Sequence, residues 1–257
     1  MVFLKTGVVN LRYQLYDYFF GRTEKETCHK VFSKRIAYYQ HLDEKGQREF
    51  VIRTLVFLKS VNIQSEPGFY VSREMKLLLG SAFVQITFGL RRDVLEHFKR
   101  IFIFSRPYSY KNMNTLFNGD VNPLTGSVNL SWPAVEMGFV VPTEGANLAI
   151  HEFGHCLILE NRLCGIIKKI LHPKHLQSWE RLGLKQLVKI RQGKSELFRR
   201  YAGTNLMELF SASLENFFEK PYAFYAENPA LYKSMCLLLR QDPRDPKTPT
   251  GFLHLLK

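Results

Sequence analysis

Two histidines four residues apart, the first followed by a glutamate, stand inside an apolar run. They are His151-Glu152-Phe153-Gly154-His155, within NLAIHEFGHCLILENR from Asn147 to Arg162. On a helix, positions i and i+4 share a face about one turn apart, so both imidazoles can reach one ion. Glu152 then sits close enough to hold a water on that ion. This is the arrangement of zinc hydrolases, where the glutamate is a general base and not a ligand. The motif is short and recurs by chance, so its surroundings carry weight. Leu148, Ala149, Ile150, Leu157, Ile158 and Leu159 predict a buried or half-buried helix. Three polar groups on such a helix need partners, and a metal would satisfy all three. Cys156 points about 100° away from His155 and reads as core packing.

A catalytic zinc takes three protein ligands and keeps one position open. The chain has no HExxHxxGxxH pattern, so the third ligand comes from elsewhere. Glu208 and Glu215, seven residues apart on a later predicted helix, are the candidates, with a slight preference for Glu208. Glu208 has a structural alternative, because Asn205-Leu206-Met207-Glu208 fits a capping box. Glu215 is either a buried acceptor for an imidazole N–H or a solvent-facing acid. Gly154, inside the helix, weakens it by about 1 kcal/mol against alanine. Either that weakness is tolerated, or another backbone passes close.

The elements that position these residues are mostly helical. Residues 9–60 read as helix, most clearly Glu44 to Val61, followed by a break at Gln64 to Gly68. Ser72 is a candidate N-cap for a strongly apolar helix from Met75 to about Phe88, ended by Gly89. Asp93 to Lys99 reads as a short helix or turn, and Ile101 to Phe104 as a strand. Val128 and Leu130 alternate with Asn129 and Ser131, which suggests a strand over Val128 to Trp132, at a sheet edge able to receive an extended peptide. Pro133 to Pro142 reads as a loop, with Thr143 starting the next helix. Further helices are expected from Pro173 to Ile190, around Leu206 to Phe218, and from Pro229 to Leu239. The whole reads as α+β: one helix-rich domain with a small mixed sheet.

With 257 residues, 46% hydrophobic and 14% aromatic, the chain can bury a sizeable core. No apolar run reaches the roughly 18 residues of a membrane-spanning helix. The N-terminus lacks the cleavage signature of a signal peptide. Cys28, Cys156, Cys164 and Cys236 form no paired framework, which points to free thiols and a cytoplasmic setting. The net charge of +13 can attract acidic proteins, nucleic acid or anionic membrane, but no nucleic-acid-binding motif accompanies it.

The chain resembles the Mlc titration factor A family of zinc-dependent peptidases. The likeness runs from about Phe50 to Pro243. It rests on Phe57-Leu58-Lys59, the apolar helix after Ser72, Val128-Asn129-Leu130-Ser131-Trp132, and Gly145-Ala146-Asn147 leading into the HExxH run. It continues through Tyr201-Ala202, Glu208-Leu209-Phe210, Glu215-Asn216-Phe217-Phe218 and Arg240-Gln241-Asp242-Pro243. The resemblance implies a gluzincin-like, zincin-type catalytic domain; the element pattern itself sets an N-terminal helical layer of the same unit at 1–65, the catalytic domain at 66–243 and a tail at 244–257. It implies Zn2+ held by His151, His155 and Glu208, Glu152 as general base, Tyr201 assisting at the transition state, and Glu215 in a supporting role. Tyr201 read alone is equally an ordinary packing tyrosine. The implied activity is peptide-bond hydrolysis by glutamate-assisted attack of water on the ion, with aminopeptidase action as the family expectation. The alternative is a regulatory protein that sequesters a transcriptional repressor, as the family's namesake binds Mlc. Two departures stand out: Gly154 where the family usually has alanine, and Ile158 where it has an acidic residue.

Overall fold

The computed structural model describes residues 16, 18–90, 92–111, 113–163 and 169–245. The predicted helix before residue 16, Cys164, and the tail beyond residue 245 lie outside these.

Alternating long helices and short strands build an α+β fold with one small sheet. Helices α1 (Arg22–Arg35), α2 (Ala37–Gln40) and α3 (Glu44–Ser60) lead into β1 (Asn62–Ser65). Helix α4 (Arg73–Thr87) follows, then a 3-10 turn at Phe88–Leu90 and strand β2 (Arg100–Phe104). Strands β3 (Gly119–Asn122) and β4 (Ser127–Ser131) precede α5 (Trp132–Val140) and α6 (Leu148–Leu163). The later described elements are helical: α7 (Pro173–Arg191), a 3-10 turn at Arg200–Gly203, α8 (Leu206–Glu219), α9 (Pro221–Glu227) and α10 (Pro229–Leu239).

Strand order is β1-β2-β4-β3, the first three parallel and β3 antiparallel to β4. This corrects the edge expected at Val128 to Trp132. The Ser127–Ser131 strand is paired on both sides, and Trp132 already belongs to α5. The outer strand on the β4 side is β3, in register Gly119 opposite Leu130 and Asn122 opposite Ser127. The stretch read as a loop from Pro133 is helix because proline at the first turn gives up no hydrogen bond. The expected break at Gln64 lies inside β1. Asp93 to Lys99 forms no helix.

Behind the HExxH helix lies an aromatic cluster. Phe57 of α3 stacks on Phe83 of α4 at 4.2 Å, and both meet Phe153 of α6 edge-on at 5.6 and 5.7 Å. All three rings are fully buried, each contributing about 2–3 kcal/mol through its apolar area. Residues 153 and 155 point to different faces of α6. Anchoring Phe153 in the core therefore aims the histidine face the other way. Glu160, also fully buried, ties α6 to the sheet: its Oε1 accepts from the backbone N–H groups of His97 and Phe98, at 2.5 and 3.2 Å, just before β2.

Arg53 of α3 performs the equivalent task for α4. Its guanidinium is fully buried, donates to the carbonyls of Thr87, Phe88 and Arg92 at 2.8, 2.7 and 3.1 Å, and pairs with buried Asp93 at 2.9 Å.

Candidate metal centre

The site is made where α6 and α8 lie against each other. On α6 the side chains facing α8 are His151 and His155, with Gly154 between them. Asn147 stands at the head of this helix: its Oδ1 accepts from the N–H of Ile150 at 3.2 Å. The helix thus begins at Leu148, later than Thr143. Its first amides meet negative charge from α8, since Glu215 Oε2 accepts from Asn147 N at 2.8 Å and Glu219 Oε2 from Ala146 N at 3.1 Å. Carboxylates at a helix N-terminus are favoured by its dipole.

On α8, Asn205 caps the helix by accepting from the N–H groups of Met207 and Glu208 at 2.8 and 3.0 Å. The Glu208 side chain turns toward α6. Its Oε2 lies 3.2 Å from His151 Nε2 and its Oε1 lies 3.5 Å from His155 Nε2. His151, His155 and Glu208 each offer a ligand atom, all within 4.8 Å of one another. Glu215, buried, points at the other nitrogen, with its Oε1 2.6 Å from His151 Nδ1. The two acids weighed as third ligand therefore do different things: Glu208 faces both Nε2 atoms, and Glu215 holds one Nδ1.

Two imidazoles and a carboxylate form a donor set that suits zinc. The electrostatics agree. Burial works against charge on His151, but Glu208 and Glu215 outweigh it and hold its pKa up near 10. The negative field of these two carboxylates also favours a metal cation, which must displace the proton to bind. The same contacts, from His151 and His155, hold the Glu208 carboxyl well below the usual range.

Glu152 lies beside this group, buried, with Oε2 accepting no hydrogen bond. Burial pushes its carboxyl up to about 8. Gly119, at the start of β3, is what gives it room: a Cβ there would stand 2.7 Å from Glu152 Oε1. Tyr201 lies on the 3-10 turn before α8. Arg191 bolts that turn to α7 by donating to the carbonyls of Gly203 and Thr204 at 2.7 and 3.0 Å. The Tyr201 ring is 5.7 Å from that of His151, and its hydroxyl donates to Glu215 Oε1 at 3.0 Å. A cleft of about 800 Å³ runs past His151, Glu152, Tyr201 and Glu215, rimmed by Leu116, Met137, Glu144 and Arg199.

Gly154 has a definite reason. A Cβ there would meet Leu214 Cδ1 and Ser211 Oγ at 2.8 Å and Ser211 Cα at 3.2 Å, so α8 can come this close only to glycine. Sequence reasoning passed over Ser211. The available signal was its spacing, three residues after Glu208 and four before Glu215, on one helix face.

The profile of the family described as glucose-regulated metallo-peptidase M90 matches residues 20–240, and the chain belongs to that family. It is 29% identical over 126 residues to Mlc titration factor A of Salmonella arizonae, a match covering 46% of this chain and 49% of that protein. The Salmonella paratyphi B protein of the same name gives 29% over 126 residues, 46% of each chain. The chain thus aligns with about half the length of those relatives. An uncharacterized protein of Synechocystis sp. is 17% identical over 218 residues, 79% of each chain.

Proposed function

We propose that this member of the glucose-regulated metallo-peptidase M90 family is a zinc-dependent peptidase, with His151, His155 and Glu208 as ligands and Glu152 as general base. The observation that carries this reading is the convergence of two Nε2 atoms and one carboxylate beside a buried carboxylate with an unbonded oxygen. Bound zinc supplies a Lewis acid that lowers the pKa of water and draws charge from a carbonyl oxygen. Glu152 takes the proton from the attacking water and returns it to the leaving amine nitrogen. Glu215 orients His151 through Nδ1. Tyr201, 40% exposed, has space to turn its hydroxyl from Glu215 toward a carbonyl oxygen in the cleft and stabilise developing charge there. An extended peptide would lie along the outer edge of β3, whose Gly119 borders Glu152. Three buried free thiols, Cys28, Cys156 and Cys236, suit a reducing compartment such as the cytoplasm. Among the described residues no helix is long and apolar enough to cross a membrane.

The test is zinc stoichiometry together with hydrolysis of a panel of free and N-terminally blocked peptides. We expect one zinc per chain, cleavage abolished by a chelator and restored by zinc, and a preference for free N-termini if the action is that of an aminopeptidase. Stoichiometric zinc with no chelator-sensitive cleavage of any peptide would defeat the peptidase reading. It would favour the second one, capture of a regulatory protein partner, for which the Salmonella relatives' name, Mlc titration factor A, is the support.

Arg199 sets a further expectation. It is an exposed cation on the wall of a cleft whose carboxylates are Glu144, Glu152 and Glu215. Reversing it, Arg199→Glu, should raise KM for peptides with an acidic residue beside the scissile bond about tenfold, equivalent to roughly 1.4 kcal/mol. Steady-state kinetics on acidic and neutral peptide pairs would read this. Equal effects on both would mean that Arg199 does not contact substrate.

A further inference from the structure

His151 has Glu215 on its Nδ1, and Ile158, one turn beyond His155 on the same helix, is apolar and buried. His155 is served from the other helix. Ser211 Oγ donates to the backbone carbonyl of His151 at 2.8 Å and lies 3.2 Å from His155 Nδ1. A hydroxyl has one proton to give. With that proton committed to the carbonyl, Oγ can only accept from the imidazole. Nδ1 of His155 therefore carries a hydrogen, which leaves Nε2 as the nitrogen able to bind a metal. Nε2 is the nitrogen that faces Glu208, 3.5 Å from Oε1.

We propose that Ser211, admitted by Gly154, is the positioning residue that fixes the tautomer and aim of His155. The inference rests on the metal reading above and deepens it. Gly154 and Ser211 act as one device, since any side chain at 154 would occupy the space of the Ser211 hydroxyl. The two histidines are consequently unlike. His151 is backed by a carboxylate that raises its basicity, and His155 by a neutral hydroxyl that orients it without adding charge.

The experiment uses the full chain with 15N-labelled histidine, as wild type, Ser211→Ala, and Ser213→Ala as the control. Ser213 is on the same helix and its buried hydroxyl has no hydrogen-bond partner. One readout is the Nδ1–H resonance of His155 in zinc-free protein; the other is zinc affinity by chelator competition. In wild type and Ser213→Ala we expect a protected Nδ1–H. In Ser211→Ala the proton should lose protection, the ring should become a mixture of tautomers, and zinc affinity should fall about 10- to 100-fold. An unchanged resonance and affinity in folded Ser211→Ala would overturn the proposal. Should that variant not fold, Gly154→Ala takes its place, and an undisturbed His155 resonance there would overturn it equally. If wild type bound no zinc, the metal reading would fail, while the zinc-free resonance would still report whether Ser211 sets the tautomer.

Discussion

Glu152→Gln should retain zinc and lose hydrolysis by a factor of about 10²–10⁴, the usual contribution of a positioned acid–base group. The substitution keeps the shape of the side chain, which matters because Gly119 leaves little space above the carboxylate. It removes the one property the mechanism needs, an oxygen that accepts a proton. The pH dependence gives an independent check. Only the deprotonated carboxylate can act as base, so kcat/KM should rise with pH through its pKa. Burial moves that pKa from the usual carboxylate value toward about 8 in the metal-free chain. A bound cation opposes the shift, which places the acidic limb between those bounds. The measurements are zinc content, which should equal that of wild type, and the residual rate. Wild-type hydrolysis by Glu152→Gln would exclude Glu152 as the base.

The largest effect on stability is expected at Arg53, far from the chemistry. Arg53→Met should destabilise the protein by about 3–5 kcal/mol, because it removes the buried guanidinium that pairs with Asp93 and leaves the carbonyls of Thr87, Phe88 and Arg92 without that donor. The loss should appear as a lower urea midpoint with little change in slope. Adding Asp93→Leu should recover part of it, since removing both charges is milder than removing one. A midpoint shift worth less than 1 kcal/mol would show that the pair contributes little.

The legible parts of this protein were those set by local geometry. His151 and His155 share a helix face by spacing alone, and Ser72 and Asn205 cap the helices they precede as their types suggest. Glu208 and Glu215 were both visible as candidates. Their division of labour depends on how α8 is rotated against α6, which no spacing within α8 reveals. Ser211 was hidden for the same reason, because a serine gains meaning only from the glycine opposite it. The sheet was harder. Asn62–Ser65 has one large apolar residue and no alternation, and pairs because β2 lies beside it. Val128 and Leu130 alternate correctly, but alternation cannot distinguish an outer strand from an inner one. The loop expected from Pro133 is instead a helix, with the proline in its first turn.

The donor set comes from two helices whose nearest contributing residues, His155 and Glu208, are far apart in sequence. An ion held there would act as a removable cross-link, closing a long loop of chain without a covalent bond. Its grip is then also a term in the folding equilibrium: at free zinc a hundredfold above the dissociation constant, the native state gains about 2.7 kcal/mol. The melting temperature of this protein should therefore rise with the logarithm of free zinc, which makes its unfolding a gauge of the metal around it.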